Sequence, residues 1–463
     1  MNYVSTRGGI QPVGFAEAVM MGLATDGGLL VPAEIPVVDP GTLRRWAGLR
    51  FQDLALEVLS PFVGDDIPRG DLQGLIERSY ASFGHPEVTP VVPVGGNQIL
   101  ELFHGPTAAF KDVALQLLGN LFEYLLRRDG GRLNIVGATS GDTGSAAIYG
   151  VRGKERIHCF ILHPKGRVSP IQERQMTTVL DANIHNIAVR GTFDDGQRIV
   201  KALFSDLAFK SEYHLGAVNS INWARILAQT IYYFYAWGRS SGGDPQRPLG
   251  FSVPTGNFGD VFAGYLARRM GLPVGRLLIA TNRNDILTRF VQSGIYEAGP
   301  VYQTLSPAMD IQIASNFERY LFYLHDQDPI PVRDLLEGMQ RTGRLSVGTE
   351  RLTRVQADFG ARAVSDEETL EQIRETFDAT GYILCPHTAV GVRAARGEPD
   401  LVCLATAHPA KFAEAVLEAI GREADPPASL RGLLAKETRC AELDASVEAV
   451  ANHIRKTLAA EGP

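Results

Sequence analysis

Apolar residues repeat at two different spacings along the chain, and the change between them divides the sequence. Residues 1 to about 90 carry mostly helical spacing interrupted by Pro and Gly, as in the segment Phe51–Leu59. Beyond that point, short apolar runs of strand length alternate with longer segments of helical spacing. Such alternation is typical of an α/β fold with a largely parallel sheet.

The apolar runs predict strands, and the helical spacing predicts the helices between them. The predicted strands are Ile99–Phe103, Leu133–Ala138, Ile157–Leu162, Ile184–Val189, Leu249–Pro254, Arg276–Ala280 and Leu401–Ala405. One predicted helix follows Pro106, with Val113, Leu117, Leu121 and Leu125 on one side, and another runs from Asn222 to Trp237. From about Asp425 the chain is predicted to be helical.

Composition narrows the class of protein. A chain of 463 residues predicts more than one domain. With 45 basic and 52 acidic residues the net charge is -7, which argues against binding to nucleic acid or to an acidic membrane. The four cysteines are scattered, the N-terminus lacks the apolar core of a signal peptide, and no apolar run approaches membrane-spanning length. We therefore expect a cytoplasmic protein. A metal site is not expected, because His387 and His408 show no metal-ligand spacing.

Lys111 is distinguished by its position. If the helix after Pro106 begins near Ala109, Lys111 lies in the first turn, where the helix dipole opposes a positive charge. That dipole and partial burial would lower the pKa of the amine, as suits a lysine that bonds to a carbonyl carbon, although Asp112 opposes this in part. Because a lone lysine is usually a solvated surface charge, Lys111 indicates chemistry only together with other segments.

Two glycine-rich segments each lie between a predicted strand and a predicted helix. The first is Thr139–Gly144 and the second is Thr255–Asp260. Glycine lets the backbone approach a ligand, and the following helix end presents N–H groups to an anion. A tight turn capped by Ser140 or Asp142 explains the first segment equally well when it is taken alone. The second segment has neither a Walker nor a G-x-G-x-x-G pattern, so a small monophosphate fits it better than a nucleotide.

An amine accompanied by two anion sites indicates pyridoxal phosphate chemistry on an anionic substrate. Taken in order, the segments resemble the threonine synthases of the longer bacterial and fungal type, nearly from end to end. The matching segments are Tyr3–Gly8, Ala24–Leu29, Phe103–Asp112, Ala138–Gly144, Pro164–Pro170, Asn219–Arg225, Gly256–Asp260, Ser315–Arg319, Pro386–Gly391 and Thr406–Phe412. One departure is Cys385, which stands where the family pattern has Asp.

The resemblance implies an α/β protein of fold-type II, like the β subunit of tryptophan synthase, with two open α/β domains and a mostly helical N-terminal segment. It implies pyridoxal 5'-phosphate as cofactor and the conversion of O-phospho-L-homoserine and water to L-threonine and phosphate. Lys111 matches the Schiff-base lysine and catalytic base, and Thr406 matches the hydroxyl residue that faces the pyridine nitrogen. The cofactor-phosphate loop matches Gly256, Asn257, Phe258, Gly259 and Asp260.

The resemblance also implies where the substrate binds. The loop that receives the anionic end of the substrate matches Thr139, Ser140, Gly141, Asp142, Thr143 and Gly144. Apart from the resemblance, a departing phosphate needs cations or N–H donors, and the candidates are Lys165, Arg167 and Arg225. The alternative for each is the solvated surface charge that most lysines and arginines are.

The predicted division of the chain has three parts. They are an N-terminal segment at 1–89, a large cofactor domain formed by 90–127 and 248–463, and a smaller substrate-closing domain at 128–247. The sequence leaves monomer and dimer open. Two alternative functions also stay open: another fold-type II lyase that releases phosphate from a phosphorylated amino acid, and a catalytically silent ligand-binding relative. Lys111 and both glycine segments argue against the silent relative.

Overall fold

The computed structural model describes residues 1–460, in which strands and helices alternate. The strands are β1 Tyr3–Ser5, β2 Leu30–Pro32, β3 Val91–Val94, β4 Asn97–Glu101, β5 Leu133–Ala138, β6 Ile157–Pro164, β7 Ile184–Arg190, β8 Leu215–Gly216, β9 Leu249–Pro254, β10 Val274–Thr281, β11 Ile295–Glu297, β12 Arg344–Ser346, β13 Phe359–Ala363, β14 Leu401–Ala405 and β15 Ala441–Asp444. A short 3-10 turn at Pro307–Met309 matters for the site described below.

The helices are numbered in the same way. They are α1 Phe15–Met21, α2 Pro40–Trp46, α3 Phe51–Val63, α4 Arg69–Tyr80, α5 Lys111–Asp129, α6 Asp142–Val151, α7 Pro170–Thr177, α8 Phe193–Ser205, α9 Leu207–Glu212, α10 Trp223–Ser241, α11 Gly259–Arg269, α12 Ile286–Ser293, α13 Phe317–Leu324, α14 Pro329–Thr342, α15 Thr349–Asp358, α16 Asp366–Thr380, α17 Pro386–Ala394, α18 Ala413–Ile420 and α19 Val447–Ala459. Within residues 1–460, no helix combines the length and the apolar character needed to cross a membrane.

Most elements predicted from the sequence are confirmed. Strands β5, β9 and β14 have the predicted bounds, and helices α1 to α4 lie in the N-terminal segment. The prediction of a wholly helical tail is wrong, because β15 precedes α19 there.

Contacts group the described chain into two units. Unit 1 comprises Met1–Gly105 and Ser220–Asp425, and unit 2 comprises Pro106–Asn219 and the described residues from Pro426 onward. This grouping differs from the predicted division in four places, and the first is that the N-terminal segment 1–89 is grouped with unit 1. Helix α5 packs against α6 and so belongs to unit 2, and the tail joins unit 2 because β15 pairs with β7. Helix α10 packs against α3 and α11 and so belongs to unit 1.

The main sheet of unit 1 has the strand order β13-β10-β9-β14-β4-β3. All neighbours are parallel except β3 and β4. Strand β9 is buried along its whole length, and in its pairing with β14, Cys403 lies opposite Ser252. The carboxyl ends of these two strands therefore meet at one edge of the sheet, which is where ligands bind in open α/β folds. The chain continues from this edge into Gly256 on one strand and Thr406 on the other.

The sheet of unit 2 has the order β15-β7-β6-β5-β8, and every neighbouring pair is parallel. Val136, Phe160 and Ile187 form one apolar core with Leu203 of α8 and Ile454 of α19. The tail therefore contributes both a strand and part of the core to this unit. Strand β5 leads directly into the segment Thr139–Gly144.

Helices α5 and α6 approach each other closely at two glycines. A Cβ atom on Gly119 would lie 1.9 Å from the carbonyl oxygen of Gly150, and one on Gly150 would lie 2.5 Å from that of Leu115. Since both obstacles are backbone atoms, no side chain can yield. We expect Gly119→Ala to lower the free energy of unfolding by about 3 kcal/mol, measured by urea denaturation. The helical glycine Gly338 has open space around its Cα, so Gly338→Ala should not destabilise, and equal effects of the two substitutions would contradict this explanation.

Candidate functional site

Lys111 lies in the first turn of α5, as the sequence predicts. The helix begins at Lys111 itself, with Phe110 as its N-cap, and the Lys111 Nζ atom lies 5.8 Å from the centre of the Phe110 ring. The adjacent carboxylate is fully buried and holds the loop that leads into the helix. Asp112 accepts hydrogen bonds from the backbone N–H of Thr107 at 2.8 Å and from its hydroxyl at 2.6 Å. The position of the lysine is therefore fixed by its own neighbour in the chain.

Thr139 organises the first glycine loop. Its buried hydroxyl oxygen accepts hydrogen bonds from the N–H groups of Gly141 at 3.0 Å and Gly144 at 2.9 Å. A Cβ on Gly144 would lie 2.4 Å from the Thr139 methyl group, and Gly141 has a φ of 153° that favours glycine. Thr139 thus shapes this loop through its own hydroxyl.

The N-cap residue of the helix after this loop provides no side-chain hydrogen bond. Its N-cap is Gly141, so the alternative interpretation of a turn capped by Ser140 or Asp142 is wrong. The Asp142 carboxylate instead accepts a hydrogen bond from the Gln172 side-chain amide at 2.7 Å. Thr139 occupies the Gly144 N–H, and the helix dipole still favours negative charge at this N-terminus. Sequence reasoning missed Gln172, whose approach depends on the packing of α7 against α6.

The second glycine loop exposes backbone groups, and its Phe258 side chain is buried. A Cβ on Gly256 would lie 2.7 Å from the carbonyl oxygen of Ala308, so only glycine fits there. Phe258 has a φ of 65° and is the N-cap of α11, which also lacks a side-chain cap. The Phe258 ring turns inward, with its centre 5.5 Å from those of Phe317 and Phe359. The groups that this loop offers to a ligand are therefore backbone groups at a helix N-terminus.

Asn316 holds this loop from the other side. The Asn257 carbonyl oxygen accepts hydrogen bonds from the backbone N–H of Asn316 at 3.1 Å and from its side-chain amide at 3.2 Å. Asn316 is fully buried, and the Arg319 guanidinium donates a hydrogen bond to its side-chain oxygen. The Ser315 hydroxyl donates to the Asn257 side chain at 3.1 Å. The segment Ser315–Arg319 therefore supports the loop, a role that the sequence alone did not indicate.

Asp260 turns its side chain into the contact between α10 and α11. Its Oδ1 atom accepts hydrogen bonds from the hydroxyls of Tyr232 at 2.6 Å and Tyr233 at 2.9 Å. Its Oδ2 atom has no hydrogen-bond partner within residues 1–460. Burial raises the pKa of Asp260 to about 6, although the two tyrosine hydroxyls oppose this. The carboxylate is thus occupied inside unit 1, and the two tyrosines that hold it were not predicted.

The raised pKa of Asp260 predicts a dependence of stability on pH. Because the folded-state pKa of about 6 exceeds the ordinary 3.8, folding favours the protonated acid. This contribution is fully present below about pH 4 and is lost as the pH rises through about 6. We expect the wild type to lose about 2–3 kcal/mol relative to Asp260→Asn between these limits, measured by urea denaturation across the range. Parallel curves for the two proteins would contradict this result.

The three candidate cations differ in their surroundings. Lys165 is exposed and pairs with Glu442 at 2.6 Å, and Arg167 is also exposed. Arg225 is only 4% exposed, and its Nε and Nη1 atoms have no hydrogen-bond partner in the described part of the chain. Burial lowers the pKa of Arg225 to about 10. A buried guanidinium with two unsatisfied nitrogens is costly, and a bound anion would remove that cost.

The neighbours of Arg225 on α10 show where it lies. Arg225, Gln229 and Tyr232 share one face of the helix. Tyr232 binds Asp260, and the Gln229 side-chain oxygen would lie 3.7 Å from a Cβ on Gly259, so this face packs against the first turn of α11. Arg225 is one turn earlier and therefore lies toward the uncapped N-terminus of α11.

Two further residues that the sequence analysis singled out, Thr406 and Cys385, belong to unit 1. Thr406 is buried and directly follows β14. Cys385 is the N-cap of α17, and its sulfur accepts a hydrogen bond from the Thr388 N–H at 3.4 Å. The cysteine therefore still performs the capping that an aspartate would perform there. Among residues 1–460, no cluster of His, Cys, Asp or Glu could hold a metal ion.

These residues fit a phosphorylated aldehyde cofactor. The Gly256 backbone has no room for a side chain, and α11 begins without a side-chain cap. Each feature suits a phosphate group, and Thr406 places a hydroxyl at the end of the neighbouring strand.

Comparison with known proteins agrees with this chemistry. Residues 2–80 match "Threonine synthase N terminus", residues 98–406 match "Pyridoxal-phosphate dependent enzyme", and residues 388–454 match "Threonine synthase, C-terminal". The threonine synthase of Pseudomonas aeruginosa is 50% identical over 96% of both chains. Crystal structures from Brucella melitensis, described as pyridoxal phosphate-bound threonine synthase, and from yeast superpose with TM-scores of 0.96 and 0.95, at 46% and 47% identity over 99% of each chain. The chain belongs to the threonine synthase family of pyridoxal-phosphate-dependent enzymes.

Proposed function

We propose that the chain converts O-phospho-L-homoserine and water to L-threonine and phosphate. The observation that carries the proposal is Arg225, a buried guanidinium with two unsatisfied nitrogens on the face of α10 that packs against the first turn of α11. In a family of threonine synthases, that position suits a phosphorylated ligand. We assign the cofactor phosphate to the backbone of Gly256–Asp260, the pyridine nitrogen to Thr406, and the cofactor aldehyde to the Lys111 amine.

The reaction needs several proton transfers at neighbouring carbon atoms. Pyridoxal phosphate, when bound, draws electrons away from Cα of the substrate. Protons leave Cα and Cβ, and phosphate leaves Cγ with the electrons of the C–O bond and takes up a proton. The oxygen of water bonds to Cβ as the water gives up a proton, Cγ gains the proton that completes the methyl group, and a proton returns to Cα. Lys111 is the base that we assign to the Cα proton, because its amine is mobile and can carry protons at successive steps. Thr406 is a neutral hydroxyl, so unlike a carboxylate it would not keep the pyridine nitrogen protonated.

Substrate recognition requires donors for two anionic groups. We assign the anionic end of the substrate to Ser140–Gly144, supported by the position of this glycine loop at the N-terminus of α6. We assign the departing phosphate to Arg225 in preference to Lys165, which is already paired with Glu442, and to the exposed Arg167. A cytoplasmic location is part of this proposal and is supported by four cysteines that are all unbridged thiols.

The products of the reaction test this proposal. Purified protein supplied with pyridoxal phosphate should convert O-phospho-L-homoserine to equal amounts of threonine and phosphate, separated by chromatography. Phosphate accompanied by a 2-keto acid would instead favour the other fold-type II lyase. A protein without turnover and without visible-range absorbance after addition of cofactor would favour the silent ligand-binding relative.

A further inference from the structure

Helix α17 is seated on the strand that leads into the Gly256 loop. The Ser252 hydroxyl on β9 donates a hydrogen bond to the Gly391 carbonyl oxygen at 2.7 Å. A Cβ on Gly391 would lie 3.1 Å from the Pro254 ring, so helix and strand are in direct contact. The N-terminal residues of α17 therefore have a fixed position relative to the end of β9.

His387 extends from this helix to the wall of the loop. It is 3% exposed, and its Nε2 atom accepts a hydrogen bond from the backbone N–H of Ala308 at 3.2 Å. The carbonyl oxygen of the same Ala308 is the atom that would lie 2.7 Å from a Cβ on Gly256. The Phe412 ring packs against His387, with ring centres 4.8 Å apart. One imidazole thus holds the turn Pro307–Met309 that forms one side of the glycine loop.

We propose that His387 is a positioning residue for the cofactor phosphate, acting through Ala308 and Gly256. The inference rests on the proposed function, because that function assigns the cofactor phosphate to this loop. To accept the Ala308 N–H, the ring must carry its proton on Nδ1. Without the acceptor, the Ala308 N–H would lose its protein partner, and the turn would move to find another. The wall against Gly256 would move with it, and the loop N–H groups would no longer converge on one anion.

Three substitutions of His387 separate the hydrogen bond from the bulk of the side chain. In His387→Gln a side-chain oxygen can reach the place of Nε2, whereas His387→Leu removes the acceptor. His387→Asn keeps a polar amide that is too short to reach Ala308, and it serves the same purpose if the Leu variant does not fold. His325 is another buried histidine of unit 1 outside the proposed cofactor machinery, so His325→Leu is the matched control.

The measurement is the dissociation constant of pyridoxal phosphate, obtained by titrating cofactor-free protein and following visible absorbance. Thermal unfolding of the cofactor-free protein is recorded alongside. We expect at least a tenfold weaker affinity for His387→Leu and His387→Asn, a value within threefold of wild type for His387→Gln, and no change for His325→Leu. Gly256→Ala should weaken binding at least as much as His387→Leu.

The outcomes distinguish this inference from the proposal beneath it. Unchanged affinity in Gly256→Ala would remove the cofactor phosphate from this loop, and with it the basis for a role of His387. Weak binding in Gly256→Ala with unchanged affinity in His387→Leu and His387→Asn would overturn the role of His387 alone. A loss of affinity in the Gln variant equal to that in the Leu and Asn variants would show that the hydrogen bond is not the cause, and would also overturn it.

Discussion

Replacement of Lys111 by Ala is expected to lower the rate of threonine formation by about 10³-fold or more. The residue is assigned two tasks, bonding to the cofactor aldehyde and moving the substrate protons, and an alanine performs neither. The fold should survive, because the loop before α5 is held by Asp112 and Thr107. Steady-state kinetics measure the rate, and visible absorbance of the protein with pyridoxal phosphate reports the missing bond.

Lys201 provides a matched control for this experiment. It is an exposed lysine on α8 of the same unit, so Lys201→Ala should keep the wild-type rate and spectrum. Reduction of the wild-type holoenzyme with borohydride, followed by peptide mass spectrometry, should place the cofactor on Lys111. A label on another lysine, or a Lys111→Ala variant that retains turnover, would show that the base has been misassigned.

Arg225→Met is expected to have opposite effects on activity and stability. The ratio kcat/KM for O-phospho-L-homoserine should fall by about 10²-fold or more, because a charge-assisted contact to the phosphate is lost. The free energy of unfolding of the cofactor-free protein should rise by about 1–4 kcal/mol, because a buried charge with unsatisfied nitrogens is replaced by an apolar side chain of similar length. Inhibition by inorganic phosphate should weaken in parallel.

Arg319→Met is the control for the stability increase predicted for Arg225→Met. It is as deeply buried as Arg225, but it donates hydrogen bonds to the carbonyl oxygens of Leu30 and Ile221 and to Asn316. Arg319→Met should therefore destabilise the protein by about 3 kcal/mol, since several buried acceptors lose their donor. If Arg225→Met also destabilises the cofactor-free protein, the guanidinium is satisfied there and the argument for an anion fails.

The elements that could be predicted from the sequence are those whose hydrophobic pattern reflects their burial in the folded protein. Strands β9 and β14 are continuous apolar runs because both are fully buried, and their bounds were predicted correctly. Strand β15 escaped prediction because Ala441–Asp444 is a short edge strand with exposed polar residues, and only its pairing with β7 defines it. The assignment of α5 to unit 2 likewise depends on its contact with α6, which local pattern does not encode.

The candidate site divides in the same way. Lys111 at a helix start and the two glycine loops are local features, so the sequence was sufficient to select them. The prediction assigned Asp260 as a whole to the cofactor site. The binding of its carboxylate by two tyrosines could not be predicted, because these tyrosines come from another helix. The support of the second loop by Asn316 and Ala308 also joins distant parts of the chain. That Arg225 is buried with two unsatisfied nitrogens is a property of the folded protein alone.

The central claim is that phosphate leaves by cleavage of the bond between Cγ and oxygen and that water then adds at Cβ. Turnover of O-phospho-L-homoserine in water enriched in oxygen-18, analysed by mass spectrometry of both products, tests this most directly. We predict the isotope in the hydroxyl oxygen of threonine and none in the released phosphate. Labelled phosphate accompanied by homoserine would show hydrolysis at phosphorus and would contradict the proposed reaction.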